Sequence, residues 1–112
     1  MKNKIALITG ATAGIGKETA LGIAKTGAKV VLIGRSKAKC EEVAEEIKRA
    51  TNNENIEFLV ADLFSLAEIR QVADEFKAKY DRLEILVNNA GAIFDKREVT
   101  VDGFEKHLRS II

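Results

Sequence analysis

Four short runs of branched aliphatic residues punctuate this chain, and between them the hydrophobic spacing changes from consecutive to helical. The runs are Ile5-Ala6-Leu7-Ile8, closing at Thr9-Gly10; Val30-Val31-Leu32-Ile33, closing at Gly34; Ile56 to Ala61; and Ile85-Leu86-Val87. Continuous apolar runs of this length suit strands buried on both faces, which is the habit of parallel sheets. The stretches between them carry apolar stripes: Ile15, Thr19, Ile23 and Ala24 in the first; Cys40, Val43, Ala44 and Ile47 in the second; Leu66, Ile69, Val72, Ala73, Phe76 and Tyr80 in the third. Gly27 follows the first stripe where a left-handed C-cap is wanted. Ser65 and Glu68 open the third with a capping box, the serine accepting from the amide three residues on and the glutamate reaching back. A fourth helix is expected from Thr100, with Val101, Phe104 and Leu108 inward.

Strand and helix repeated three times, then a strand, means βαβ units with right-handed crossovers. The fold class is therefore α/β, an open doubly wound parallel sheet, with an expected strand order of 3-2-1-4 and a ligand site at the carboxyl ends of the strands beside the switch point. With 112 residues, no low-complexity tract and no Gly/Ser linker, residues 1–112 are expected to form one domain.

Composition narrows the function. Eighteen Lys and Arg against seventeen Asp and Glu leave a net charge of +1, with no basic excess of the kind that drives nucleic-acid binding. No apolar run approaches the roughly 20 residues of a membrane span, and nothing at the start reads as a secretory leader, so a cytoplasmic protein is expected. The lone Cys40 closes no internal disulfide, which fits a reducing compartment. One His and one Cys, with no suggestive carboxylate spacing, leave no metal site. His107 reads as an exposed helical side chain.

The chemistry lies in the turn after the first strand, Thr9-Gly10-Ala11-Thr12-Ala13-Gly14-Ile15-Gly16. Gly10 permits a tight exit from the strand, Gly14 lets the backbone approach a pyrophosphate, and Gly16 lets the helix pack on the sheet. The helix N-terminus then offers free amides and partial positive charge to an anion. Lys17 follows Gly16, but Glu18 stands where a phosphate loop needs a hydroxyl residue, so this is not that loop.

The second strand ends in Gly34-Arg35, the third in Asp62-Leu63 and the fourth in Asn88-Asn89-Ala90-Gly91. With the glycine turn, these four motifs resemble the short-chain dehydrogenase/reductase family, whose members begin T-G-x3-G-x-G and carry N-N-A-G. Residues 62–80, 88–91 and Thr100 to Glu105 are most similar to its retinol dehydrogenase branch. The resemblance covers residues 4 to about 108. It implies a Rossmann-type sheet with a nicotinamide dinucleotide held by Gly10, Thr12, Ala13, Gly14, Ile15 and Gly16, and its adenine beside Asp62 and Leu63. Asn89 has two readings under it, a contact to the ribose side of the cofactor or a tie between strands.

An NAD site places a carboxylate about 20 residues beyond the glycines. Here that position is Gly34, and no carboxylate follows until Glu41. Arg35 offers instead a fork of charge-assisted bonds for a 2′-phosphate, with Lys37 and Lys39 adding field. NADP is expected over NAD, although Ala13 stands where many NADP-preferring members carry a second basic residue.

The family moves protons with a Ser, a Tyr and a Lys in the pattern Y-x3-K, with an Asn on the fourth helix. The only tyrosine here is Tyr80, followed four residues on by Glu84, and Ile111 falls where the Asn would stand. Tyr80 ends an apolar stripe and is expected to pack. Arg109 to Ile112 depart from the family pattern, so the chain reads as a truncation, a frameshifted product or a cut half-domain without catalytic residues. Ile85-Leu86-Val87 is then expected to become an exposed edge, with either self-association through it or partial disorder beyond Ile93. The alternative is a structural βαβ half that pairs with itself and binds no nucleotide.

Overall fold

The computed structural model describes residues 4–10, 14–62, 65–88 and 92–99, with Asn88 and 92–99 described by backbone alone. The elements are β1 (Ile5–Thr9), α1 (Gly14–Ala24), β2 (Lys29–Gly34), α2 (Lys37–Thr51), β3 (Ile56–Val60), α3 (Leu66–Lys79), β4 (Leu83–Asn88) and β5 (Ala92–Val99). They build one sheet in the order β3-β2-β1-β4-β5. The first four strands run parallel, in the expected order, with Thr9 in register with Ile33 on one side and Asn88 on the other. The expected fourth helix, with His107 and Ile111, lies outside the described residues.

Each apolar run splits its side chains between the two faces of the sheet. Ile5, Leu7, Val31, Ile33, Leu59 and Ala61 pack with Ile69, Val72, Ala73 and Phe76 of α3. Their neighbours Ile8, Val30, Leu32, Ile56 and Phe58 pack with Ala20 and Ala24 of α1 and Val43, Ala44 and Ile47 of α2. A strand alternates faces with period two, so a run covered on both sides has no room for polar residues. Parity breaks once: Leu83 and Leu86, three apart, share the α3 face, and the β4–β5 pairing shifts register between Leu83 and Ile85.

Two of the expected stripes need correction. On α1 the buried residues are Gly16, Ala20 and Ala24, while Ile15 is 81% exposed. The sheet is met by the smallest side chains at i, i+4 and i+8, which bring the helix close but leave almost no hydropathy signal. On α3, Leu66 is 58% exposed, and the inner stripe starts at Ile69. The α2 stripe is as expected. Gly27 caps α1 at φ 89°, its amide donating to the Ala24 carbonyl at 3.0 Å.

The edge expected at β4 is not an edge. β5 turns back antiparallel along it, with Leu86 opposite Phe94, Val87 opposite Ile93 and Asn88 opposite Ala92. A row of unpaired backbone groups is a template for the next segment able to reach it, and an antiparallel return needs only a short connection. Ordered strand therefore continues past Ile93 to Val99, and the basis for self-association through β4 goes with the free edge. Among the described residues no helix is long and apolar enough to cross a membrane.

Candidate functional site at the carboxyl ends of the strands

Backbone pairing draws the motif residues to one end of the sheet. The Gly10 amide donates to the Ile33 carbonyl at 3.2 Å, and the Ala61 amide to the Gly34 carbonyl at 3.0 Å. Gly10, Gly34-Arg35 and Asp62 thus stand at the ends of three adjacent strands, with Asn88 in register beside Thr9. The side-chain hydroxyl of Thr9, itself buried, donates to the Val87 carbonyl at 3.5 Å and ties the first strand to the fourth there.

The turn has the backbone that glycine is needed for. Gly10 sits at φ 62° and Gly14, the first residue of α1, at φ 59°, a region L side chains rarely enter. A Cβ placed on Gly14 would meet nothing within 4 Å, so the space over this backbone is open. Gly16 is buried against the sheet, as expected of the third glycine. Thr12, Ala13, Leu63 and Asn89 lie outside the described residues.

Electrostatics at this end favour an anion. The first turns of α1 and α2 contain no acidic residue, so neither helix answers its own N-terminal field with a carboxylate. Arg35, Lys37 and Lys39 are exposed and form no ion pair among the described residues. Ser36 caps α2, its hydroxyl accepting from the Lys39 amide at 3.3 Å, which fixes where this basic turn begins. Beneath it Cys40 is fully buried; burial pushes its thiol up, and a hydrogen bond with the Gly34 backbone pulls it the other way. Lys17 points elsewhere: it pairs with Glu46 on α2, and that bond raises its pKa.

Apolar surface collects here too. The large hydrophobic side chains left exposed among the described residues are Ile15, Val60 and Leu66. They open α1, close β3 and open α3, so all three belong to the carboxyl end of the sheet. Exposed apolar side chains beside open backbone and unpaired cations are a pattern of ligand sites.

α3 differs from its two neighbours in supplying its own acid. The Ser65 hydroxyl accepts from the Glu68 amide at 3.3 Å, the expected half of the capping box. The return half is not as expected: the Glu68 carboxylate accepts from the Asp62 amide at 2.9 Å, three residues upstream of the cap. The Asp62 carbonyl in turn accepts from the Ser65 amide at 3.0 Å. The Ser65/Glu68 pair was visible in the sequence; which amide the glutamate would choose was not.

Tyr80 takes the packing role expected of it. It is 7% exposed, its ring lies 4.7 Å from that of Phe76, and its hydroxyl donates to Glu57. It lies at the opposite end of the sheet, where Lys29 Nζ stands 5.3 Å from its ring.

Comparison with known proteins follows the same lines. Residues 4–109 match the family model described as short chain dehydrogenase. Human polyprenol dehydrogenase is 41% identical over 106 residues, 95% of this chain and 32% of that protein. Bovine retinol dehydrogenase 12 is 43% identical over 105 residues, 94% and 33% of the two chains. The chain therefore spans about a third of the length of the curated relatives it matches. Among solved structures, a short chain dehydrogenase from Escherichia coli CFT073 complexed with NADPH superimposes with a TM-score of 0.73 at 34% identity, covering 82% of this chain and 39% of that one. The Pseudomonas aeruginosa RhlG/NADP active-site complex gives 0.72 at 36% identity, covering 82% and 36%.

Proposed function

This chain belongs to the short-chain dehydrogenase family, and on that premise we propose that it holds a nicotinamide dinucleotide, NADP(H) before NAD(H), for the oxidation of an alcohol to its carbonyl or the reverse reduction. The observation that carries the reading is the open Gly14 backbone at the start of a helix with no acid in its first turn, flanked by unpaired cations. A pyrophosphate needs close backbone approach, free amides and positive field, and the residues present offer all three.

The roles in this reading are those that the family resemblance implies. Gly10, Thr12, Ala13, Gly14, Ile15 and Gly16 form the pyrophosphate turn, with the exposed Ile15 giving it an apolar flank. Arg35 holds the 2′-phosphate, its fork suited to a doubly charged oxyanion. Asp62 and Leu63 would border the adenine, and Asn89 would either contact the ribose side of the cofactor or tie neighbouring strands. When bound, the dinucleotide supplies the hydride that the reaction exchanges with substrate. The residues of this chain bind and orient it. Tyr80 is not placed to move the substrate proton, since it is engaged with Glu57 at the other end of the sheet. The lone buried Cys40 fits work in a reducing cytosol.

A two-dimensional amide spectrum recorded while adding NADPH, then NADH, tests the reading. Shifts confined to Gly14, Gly16 and Arg35, at lower concentrations of NADPH than of NADH, are the expected result. A dispersed spectrum that neither cofactor moves would leave a structural half-domain with a vacant turn, and the proposal would be lost.

A further inference from the structure

The outer strands of the sheet differ in how they are guarded. β3 and β5 stand at the two ends of the order β3-β2-β1-β4-β5. β5 contains Asp95-Lys96-Arg97-Glu98, a charged stretch of the kind that discourages an edge from pairing. β3 reads Ile56-Glu57-Phe58-Leu59-Val60, with no proline or glycine and an unbroken register against β2. That register fixes which backbone groups are left over. The Asn55 carbonyl accepts from the Val30 amide at 2.9 Å, and the Ala61 amide donates to the Gly34 carbonyl at 3.0 Å. Asn55, Glu57, Leu59 and Ala61 therefore turn their backbone groups toward β2, and by alternation those of Ile56, Phe58 and Val60 point away from the sheet. Among the described residues no strand meets them. Their side chains are apolar too: Ile56 is buried, Phe58 half-buried and Val60 42% exposed. The charge within the strand, Glu57, lies on the other face, taken up by Tyr80 and Lys29.

We infer that the outer edge of β3 pairs with the same edge of a second copy of this chain, antiparallel about a two-fold axis at Phe58. The outward groups are symmetric about that residue. Phe58 meets its own counterpart, while Ile56 meets Val60 and Val60 meets Ile56, so every outward amide finds an outward carbonyl. The same register lays the open Val60 side chain against Ile56 and brings the two Phe58 rings together on one face. A partner strand in another register, or one running parallel, leaves some of these groups unpaired. No charge stands in the outward row to oppose its own image across the axis. Glu54 and Asp62 flank the strand, and like charge at its ends confines the ladder to the five residues of β3. So short a contact makes a weak dimer, one that forms as concentration rises.

Sedimentation velocity over a series from micromolar to near-millimolar protein, with amide exchange followed residue by residue, tests the pairing on the 112-residue chain. The expected result is a monomer–dimer equilibrium in which the amides of Ile56, Phe58 and Val60 gain protection as concentration rises. Those of Glu57 and Leu59, already turned to β2, should not change. Val60→Pro deletes an outward donor without removing a bond to β2, and edge strands accept proline, so dimerisation should weaken about tenfold or more. Val60→Lys should do the same by placing a charge on the edge, and it serves in place of the proline variant if that one lowers the urea midpoint. Leu66→Lys removes an exposed apolar side chain outside β3 and should leave the equilibrium as it is. A chain that stays monomeric over the whole series overturns the inference, as does a dimer in which the Ile56, Phe58 and Val60 amides exchange freely. A dimer that Leu66→Lys dissolves and Val60→Lys does not is held by apolar contact elsewhere, and the inference fails there too.

Discussion

The two ends of the sheet are built from similar residues and treat them oppositely. At the amino ends, polar side chains are turned on the protein itself. Asn53 donates to the Ala24 and Ala28 carbonyls at 3.0 and 2.8 Å and accepts from the Asn55 amide at 2.9 Å, knotting the end of α1 to the start of β3. Glu84 accepts from the Ile5 amide and from Arg82, each at 2.7 Å. Tyr80, Glu57 and Lys29 close a third group, with Lys29 3.6 Å from the Glu57 carboxylate. At the carboxyl ends, Arg35, Lys37 and Lys39 answer to no carboxylate among the described residues, Gly14 faces open space, and Ile15 lies on the surface. Where the protein satisfies its own polar groups it gains stability; where it leaves them open it keeps them for a ligand.

That contrast predicts that substitutions at one end change binding and at the other change stability. The largest effect should come from Gly14→Asp, which puts a carboxylate where the pyrophosphate is proposed to lie. Two like charges about 4 Å apart at an intermediate dielectric cost on the order of 4 kcal/mol, so NADPH affinity should fall roughly a thousandfold. Aspartate tolerates positive φ better than most residues, so the fold should lose only about 1 kcal/mol. Calorimetric titration beside a urea melt separates the two quantities. Comparable losses in both would blur the contrast.

Arg35→Ala comes next. Losing a guanidinium–phosphate contact is worth about 1.5–3 kcal/mol, so NADPH should weaken by roughly tenfold to a hundredfold. NADH, which has no 2′-phosphate, should bind as before, and the urea midpoint should not move. An unchanged cofactor preference would take Arg35 out of the site.

How much of this contrast could be read before the structure depends on what each feature leaves in the sequence. The parallel strands announce themselves because a run buried on both faces must be apolar throughout, and Val30 to Ile33 are. The carboxyl-end motifs are legible because glycine at positive φ has no substitute, as Gly10 and Gly14 show. Ile15 and Leu66 misled because each is apolar at nearly the right spacing; a first-turn residue has not yet reached the sheet and faces outward. The true α1 stripe hides in Gly16, Ala20 and Ala24, residues chosen for smallness rather than hydropathy. β5 was illegible for another reason: Asp95-Lys96-Arg97-Glu98 in its middle show no alternation, and its pairing is fixed by the free side of β4 rather than by its own pattern. The amino-end bonds of Asn53 and Tyr80 join residues 23 to 29 apart, and no local spacing announces them.

Tyr80→Phe probes the amino end. It removes one hydroxyl from a buried ring and leaves the packing on Phe76, so the loss should be about 1 kcal/mol. The shift belongs in the urea midpoint and not in the affinity for NADPH, since Tyr80 and the glycine turn stand at opposite ends of the strands. A change in cofactor affinity without a change in stability would reverse the assignment of the two ends.

The smallest effects are the pH limbs of the same group, and their signs follow from which protonation state the fold prefers. Burial, then the Glu57 hydrogen bond and charge, raise the Tyr80 hydroxyl above its ordinary value of 10.0. The folded protein thus favours the neutral phenol: its contribution is whole below pH 10 and is lost as pH rises beyond it. Glu57 runs the other way. The Tyr80 hydroxyl, aided by the charges of Lys29 and Lys79 and opposed by burial, holds its carboxyl below the ordinary 4.5. That contribution is present above pH 4.5 and fades as the pH falls through the folded value. Because 44% of the Glu57 side chain is open to water, screening keeps the acid limb to about 0.3 kcal/mol. Subtracting the stability curve of Tyr80→Phe from that of the wild type isolates both limbs from the other titrating groups. A difference curve flat from pH 3 to 11 would mean that the hydroxyl and the carboxylate are neighbours without being coupled, and the amino end would then owe its closure to Asn53 and Glu84 alone.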